Sequence, residues 1–131
     1  RTSRAFRDSI AVWSGCRMAG VSPTRVLVDP GIGFAKTAAQ SLALLAHLAP
    51  LRALGYPLLV GPSRKSFIVS EAAHGAGRWP VDASPAGERL GGTAAAVTVA
   101  VMQGAEVLRV HDVAVMRQAA RLAQALRSAH G

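Results

Sequence analysis

Apolar side chains recur every three or four residues in four segments of the chain, which is the spacing of amphipathic helices. The predicted helices cover roughly residues 4–19, 37–55, 84–103 and 112 to the C-terminal end. Thr37 begins a capping-box pattern, Ser84 is a good N-cap, and Asp112 can cap the last helix. The side chains predicted to face inward are Phe6, Ile10 and Trp13, then Leu42, Leu45, Leu48 and Leu51, then Leu90, Val97 and Val101, then Val115, Met116, Ala119, Leu122 and Leu126. A stretch rich in Gly, Pro and polar residues, residues 74–84, predicts an exposed loop.

Three short apolar runs lie between the predicted helices, and each is followed by a turn or loop signal. They cover residues 25–28, 57–60 and 107–110. Strands that are apolar at nearly every position are buried on both faces, and strands separated by helices pair in parallel through right-handed crossovers. The order α-β-α-β-α-β-α therefore predicts an α/β fold with a parallel sheet. Three such strands leave two unpaired edges, so we expect residues 1–131 to form one part of a larger domain.

Composition narrows the class of protein. The 131 residues are 50% hydrophobic and 17% charged with one cysteine, which excludes disordered, collagen-like and disulfide-stapled chains. No segment has the ~18 uninterrupted apolar residues of a membrane span, so we expect no membrane association. The net charge is +8, but the basic residues are spread singly, and nucleic acid is not expected as a partner. Lone Cys16 and the lack of zinc-ligand spacings favour a cytoplasmic location.

Polar side chains follow the end of each predicted strand. Asp29 comes after the first strand, Arg64 and Lys65 after the second, and Arg109 and His111 lie at the third. Ligands of parallel α/β folds bind at this edge. Helix N-termini favour anions, so the two cations near a helix start have the less usual charge for that place and predict an anionic ligand. An arginine within an apolar strand also needs an anionic partner. A simple turn role is also open for Asp29 and for His111.

Residues 31–37, Gly-Ile-Gly-Phe-Ala-Lys-Thr, come close to two nucleotide-binding motifs and fit neither. The Lys-Thr pair resembles the end of a phosphate-binding P-loop, but no glycine directly precedes the lysine and the spacing is one residue short. A dinucleotide fingerprint would need a third glycine and an acidic residue after the next strand. We therefore do not predict a nucleotide site here.

Three strand-end motifs together resemble a known family. Residues 29–36 (Asp-Pro-Gly-Ile-Gly-Phe-Ala-Lys), 61–67 (Gly-Pro-Ser-Arg-Lys-Ser-Phe) and 109–113 (Arg-Val-His-Asp-Val) are similar to the three C-terminal signature motifs of dihydropteroate synthase, in the same order. The resemblance implies a (β/α)8 TIM barrel of the pterin-binding type, of which this chain matches the C-terminal portion, about three βα units. Such a barrel takes about 250 residues, so we expect the N-terminal half of the barrel to be absent here.

The resemblance implies a transferase of folate biosynthesis that joins p-aminobenzoate to dihydropterin diphosphate and releases pyrophosphate. Asp29 matches the family aspartate that pairs with the ring N–H and 2-amino group of the pterin. Lys65 matches a lysine that contacts the pterin edge and flanks the aminobenzoate. Arg109 and His111 match residues that hold the diphosphate, and together with Lys65 they are the candidate catalytic residues.

Further expectations follow from the same resemblance. Phe34 and Ser66 match positions that line the aminobenzoate pocket, Phe34 by its ring and Ser66 by its hydroxyl. Mg²⁺ is implied as a cofactor, but its binding loop falls in the family's N-terminal half, so no metal ligand is expected in this chain. A homodimer through the C-terminal helices is also implied.

Other functions stay open at this point. One alternative is the pterin-binding domain of a corrinoid methyltransferase, which shares the barrel and a similar aspartate. The run Ser63-Arg64-Lys65-Ser66 favours the synthase, because a methyltransferase has no aminobenzoate to place. The other alternative is a non-catalytic pterin-binding remnant, favoured by the missing half of the barrel. We expect the 131 residues alone to be inactive.

Overall fold

The computed structural model describes residues 18–70, 73 and 83–129. Within these residues the helices are α1 (Ala38–Ala46), α2 (Ala49–Arg52), α3 (Leu90–Met102) and α4 (Val113–Ala129), and the strands are β1 (Leu59–Val60) and β2 (Val107–Leu108). Short 3-10 turns cover Pro23–Arg25, Ser66–Val69 and Ala86–Glu88. Nearly all of the predicted first helix and most of the predicted 74–84 loop lie outside the described residues.

The strands form a parallel sheet, as predicted. Leu59 lies opposite Val107, and β1 is flanked on its other side by a single parallel bridge between Val28 and Leu58. Segments that follow one another in the chain are thus neighbours in the sheet, and all run in the same direction. The predicted strand at residues 25–28 is wrong except at Val28. A 3-10 turn over Pro23–Arg25, which the fixed φ of Pro23 suits, takes up Arg25 and the N–H of Val26, and Leu27 is exposed.

The predicted helix at residues 37–55 is divided in two. Its capping box is confirmed: the Thr37 hydroxyl accepts from the Gln40 N–H at 3.2 Å, and the Gln40 side chain accepts from the Thr37 N–H at 2.9 Å. Pro50 lies in the first turn of α2, where its missing N–H costs nothing, but it cannot continue a helix from α1. At the break, the side chain of Gln103 accepts from the N–H of Leu48. The buried positions Leu45, Leu48 and Leu51 agree with the prediction.

Helix α3 begins at Leu90, six residues later than predicted. Residues 86–88 form a separate 3-10 turn, so Ser84 is not the N-cap of this helix, and that prediction is wrong. Val97 and Val101 are buried as expected, whereas Leu90 is exposed, because it occupies the first turn of the helix beyond the core. The helix is followed by Gly104, whose φ of 96° lies in the left-handed region typical of a helix end.

Helix α4 packs against α3 and buries one large and one small side chain. Met116 and Ala123 are buried, but Val115, Leu122 and Leu126 are exposed, contrary to the predicted inward stripe. The prediction is therefore confirmed at Met116, while Ala123, which the periodic pattern did not select, is the second buried position. A row of exposed apolar side chains therefore remains on α4.

The core lies between the sheet and the helices. Its largest fully buried side chains include Ile32, Leu48, Leu58, Val60 and Val97. No helix within the described residues is long and apolar enough to cross a membrane.

Candidate active site

The loops that follow β1 and β2 meet the loop after Val28 and enclose a pocket. Its volume is about 360 Å³, and it is lined by Phe34, Gly61, Ser63, Lys65, Arg109, Val110 and His111. The pocket lies at the carboxyl ends of the parallel strands, as the sequence predicted. Four of the candidate site residues are therefore brought together.

The loop of residues 29–36 is closed by hydrogen bonds within itself. One Asp29 carboxylate oxygen accepts from the N–H of Gly31 at 2.8 Å. The ammonium of Lys36 donates to the carbonyls of Gly31 and Phe34, at 3.0 and 3.1 Å. Because Lys36 is bound inside its own loop, it is not presented to a phosphate as a P-loop lysine would be. The loop instead presents the Phe34 ring, which is 53% exposed.

Two cations lie against the Phe34 ring. The Lys65 ammonium is 3.7 Å from the ring centroid, and the Arg109 guanidinium carbon is 5.8 Å from it, both within the range of cation–π attraction. With no opposite charge among the residues that line the pocket, these two side chains make it electropositive. An anionic ligand fits such a pocket.

His111 is oriented by Ser63, a buried residue that the sequence places in a motif but does not identify as a site residue. The Ser63 hydroxyl accepts from the His111 N–H at 3.2 Å and lies 2.9 Å from the imidazole Nδ1. The direction of the hydrogen bond between this hydroxyl and Nδ1 depends on the imidazole tautomer, and in either direction it holds the ring in place. The His111 ring is thus fixed at the edge of the pocket by a buried hydroxyl.

Arg64 does not line the pocket, which corrects the prediction that Arg64 and Lys65 bind an anionic ligand together. Its guanidinium donates two hydrogen bonds to Asp112, Nε to Oδ2 at 3.0 Å and Nη2 to Oδ1 at 2.6 Å. Those hydrogen bonds raise the pKa of the Arg64 guanidinium and lower the pKa of the Asp112 carboxyl group. The pair is therefore ionised at neutral pH. The Asp112 carbonyl also accepts the first backbone hydrogen bond of α4, from the N–H of Met116.

Asp29 and Ser66 do not line this pocket. Asp29 is exposed in the loop after Val28, and Ser66 is exposed at the start of the turn that follows Lys65. Within the residues that the structure describes, no three His, Cys, Asp or Glu side chains come together as a metal site. The pocket's own polar groups, two cations, an imidazole and a hydroxyl, do not fit a Mg²⁺ ion, which prefers carboxylate oxygens.

Comparison with known proteins identifies the family of the chain. Residues 5–111 match the family described as pterin binding enzyme. The dihydropteroate synthase of Synechocystis sp. is 48% identical over 107 residues, which are 82% of this chain and 34% of that protein. The chain thus spans about a third of the length of that relative.

Solved structures give the same result for the fold. The dihydropteroate synthase of Yersinia pestis superposes with a TM-score of 0.81 at 37% identity, over 95% of this chain and 54% of that one. The dihydropteroate synthase of Xanthomonas albilineans in complex with 7,8-dihydropteroate superposes with a TM-score of 0.81 at 36% identity, over 94% of this chain and 45% of that one. The predicted fold, the C-terminal portion of a (β/α)8 barrel of the pterin-binding type, is confirmed. The resemblance drawn from the three motifs is confirmed as well, and the chain belongs to the pterin-binding enzyme family.

Proposed function

We propose that this chain carries the C-terminal part of the active site of a dihydropteroate synthase, which condenses dihydropterin diphosphate with p-aminobenzoate and releases pyrophosphate. The observation that carries the proposal is the electropositive pocket in which Lys65 and Arg109 flank one aromatic ring, with His111 beside them. Such a pocket fits a substrate pair that joins an aromatic ring to a phosphate-bearing group. The family membership and the bound product of the Xanthomonas albilineans relative support the same chemistry.

Arg109 and His111 are proposed to hold the diphosphate. A guanidinium offers a planar fork of donors for phosphate oxygens, and the His111 imidazole lines the same pocket. Both groups are held in place: directly after β2, the Arg109 N–H donates to the carbonyl of Val60 at 3.0 Å, and the hydroxyl of Ser63 contacts the imidazole. As the bond between the pterin methylene carbon and the diphosphate oxygen breaks, negative charge grows on the departing pyrophosphate, and these donors stabilise it.

The remaining predicted residues are proposed to place the two rings. Asp29 accepts from the ring N–H and 2-amino group of the pterin, and its exposed carboxylate balances the positive charge that spreads into the pterin as the bond breaks. Lys65 flanks the aminobenzoate and contacts the pterin edge, while Phe34 contacts the aminobenzoate ring and Ser66 contributes a hydroxyl. The aniline nitrogen then bonds to the pterin methylene carbon and loses a proton, which completes the substitution.

The Mg²⁺ ion, the assembly and the location of the protein belong to the proposal too. Mg²⁺ would help the diphosphate leave, and its ligands would lie outside this chain, in the family's N-terminal half. The exposed Val115, Leu122 and Leu126 of α4 support a homodimer through the C-terminal helices. Lone Cys16 supports a cytoplasmic location.

A pyrophosphate-release assay tests the proposal. Dihydropterin diphosphate, p-aminobenzoate and Mg²⁺ are supplied to this chain and, separately, to the complete polypeptide that its gene encodes. We expect release from the complete polypeptide that requires both organic substrates, and none from the 131 residues alone. A folded complete polypeptide that binds pterin but releases no pyrophosphate would instead support a non-catalytic pterin-binding protein.

A further inference from the structure

Two non-covalent side-chain contacts connect the loops that carry the pocket's polar side chains. In the sheet, each residue of β1 lies opposite the residue 48 positions later in β2. Beyond the strand ends the same offset continues through side chains: Ser63 bonds to His111, and Arg64 bonds to Asp112. The strand register is thus carried into the loops by a hydroxyl–imidazole contact followed by an ion pair.

Arg64 is held through its backbone as well as its side chain. Its φ of 58° is in the left-handed region, which is uncommon for a residue with a side chain. Its N–H donates to the hydroxyl of fully buried Thr93 at 3.0 Å, and its carbonyl accepts from the Arg89 guanidinium at 3.0 Å. An unusual backbone conformation persists only when its surroundings fix it, and here α3 and the segment before it do so.

This conformation separates two neighbouring cations. Lys65 lies over the Phe34 ring inside the pocket, whereas the guanidinium of Arg64 is committed to Asp112. Asp112 in turn directly follows His111, which lines the pocket. The ion pair therefore joins the residue before Lys65 to the residue after His111 without touching the pocket itself.

We propose that Arg64 and Asp112 are positioning residues that set the spacing between Lys65 on one loop and Arg109 and His111 on the other. This inference rests on the proposed function, because it assigns a task to the same pocket. Small displacements of catalytic groups have large effects on rate, so loss of the pair lowers turnover although neither residue contacts substrate.

Kinetics of the complete polypeptide test the proposal with Arg64→Gln, Asp112→Asn and the double variant. We expect each single change to lower kcat by about tenfold or more, with the KM for p-aminobenzoate changed by less than about threefold. The double variant should be no slower than the slower single variant, because both changes remove one contact. Arg64→Lys keeps the charge but not the bidentate hydrogen bonding to Asp112, so its kcat should lie between those of Arg64→Gln and the wild type.

The matched control is Arg52→Gln, the same change at an exposed arginine. Its Nη2 lies 3.8 Å from Oε1 of Glu106, the residue directly before β2. It should leave kcat unchanged. Variants that melt earlier but keep the wild-type kcat well below their melting temperature would show a purely structural pair and overturn the proposal. A large loss in Arg64→Gln with normal turnover in Asp112→Asn would also overturn it, since Arg64 would then act on the ligand directly.

Calorimetric binding of inorganic pyrophosphate separates this inference from the proposed function. If the wild-type polypeptide binds pyrophosphate but turns over no substrate, the proposed function fails, and weaker binding by Arg64→Gln but not by Arg52→Gln still supports positioning. If the wild type neither turns over nor binds pyrophosphate, both proposals fail.

Discussion

Gly61 and Gly33 shape the pocket by leaving room for its cations. A Cβ atom at Gly61 would lie 3.0 Å from Nε and Nη2 of Arg109, and one at Gly33 would lie 2.9 Å from Cδ of Lys65. Gly33 also has a φ of 76°, which residues with a side chain rarely adopt. The long side chains of Lys65 and Arg109 reach the Phe34 ring because these two positions carry none.

Gly61→Ala tests this point. The added methyl group meets the flexible end of Arg109 rather than backbone, so the protein should fold while the guanidinium moves out of place. We expect kcat/KM for pyrophosphate release to fall by about tenfold. The matched control is Gly87→Ala, where an added Cβ has no neighbour within 4 Å. Equal activity in the two variants would contradict the role given to Gly61.

The sequence predicted part of the site at this scale. Lys65, Arg109 and His111 could be placed together because parallel strands put their carboxyl ends at one edge. The contact of Ser63 with His111 and the pairing of Arg64 with Asp112 depend on the register between two strands, which the sequence does not specify. Once the register is known, the offset of 48 residues identifies both pairs.

Helix α3 depends on a close contact at its first turn. A Cβ atom at Gly92 would collide with Cγ2 of Ile68, which lies in the 3-10 turn after Lys65, whereas a Cβ at the adjacent Gly91 would meet nothing within 4 Å. The two neighbouring glycines therefore differ in their surroundings, although the sequence shows them as equivalent. Gly92 lets α3 lie directly against the turn that carries Ile68.

Alanine at each of these glycines should have opposite effects on stability. Gly91→Ala removes backbone freedom from the unfolded chain and should stabilise the protein by up to about 1 kcal/mol. Gly92→Ala forces Ile68 and its turn to move and should destabilise it by about 1–3 kcal/mol. Urea denaturation of the complete polypeptide measures both changes. A Gly92→Ala variant as stable as Gly91→Ala would show that the contact with Ile68 is loose.

The elements were predicted better in type than in extent. The capping box at Thr37 is local, so the start of α1 was predicted correctly. The start of α3 was predicted too early, since Ser84 and Pro85 fit a helix start but lead into a 3-10 turn. On the predicted inward face of α4, Met116 was correct, whereas Val115, Leu122 and Leu126 were wrong, and Ala123 is buried instead. Packing against another element decided these outcomes, and a pattern along one element does not contain that information.

At the scale of the whole molecule, the chain has the features of a barrel segment. Val28, β1 and β2 lie side by side in chain order and in parallel, and their carboxyl ends carry the pocket. The chain matches 54% of the Yersinia pestis structure and 34% of the length of the Synechocystis relative. Because the chain covers only part of those proteins, we propose that the pocket described here is one part of a larger site.

A crystal structure of the complete polypeptide with inorganic pyrophosphate and p-aminobenzoate tests the central claim most directly. We predict phosphate oxygens about 3 Å from the Arg109 guanidinium and from Nε2 of His111, with the aminobenzoate ring beside Lys65 and Phe34. Pyrophosphate bound at another place, with Arg109 and His111 free of it, would contradict the assignment of this pocket.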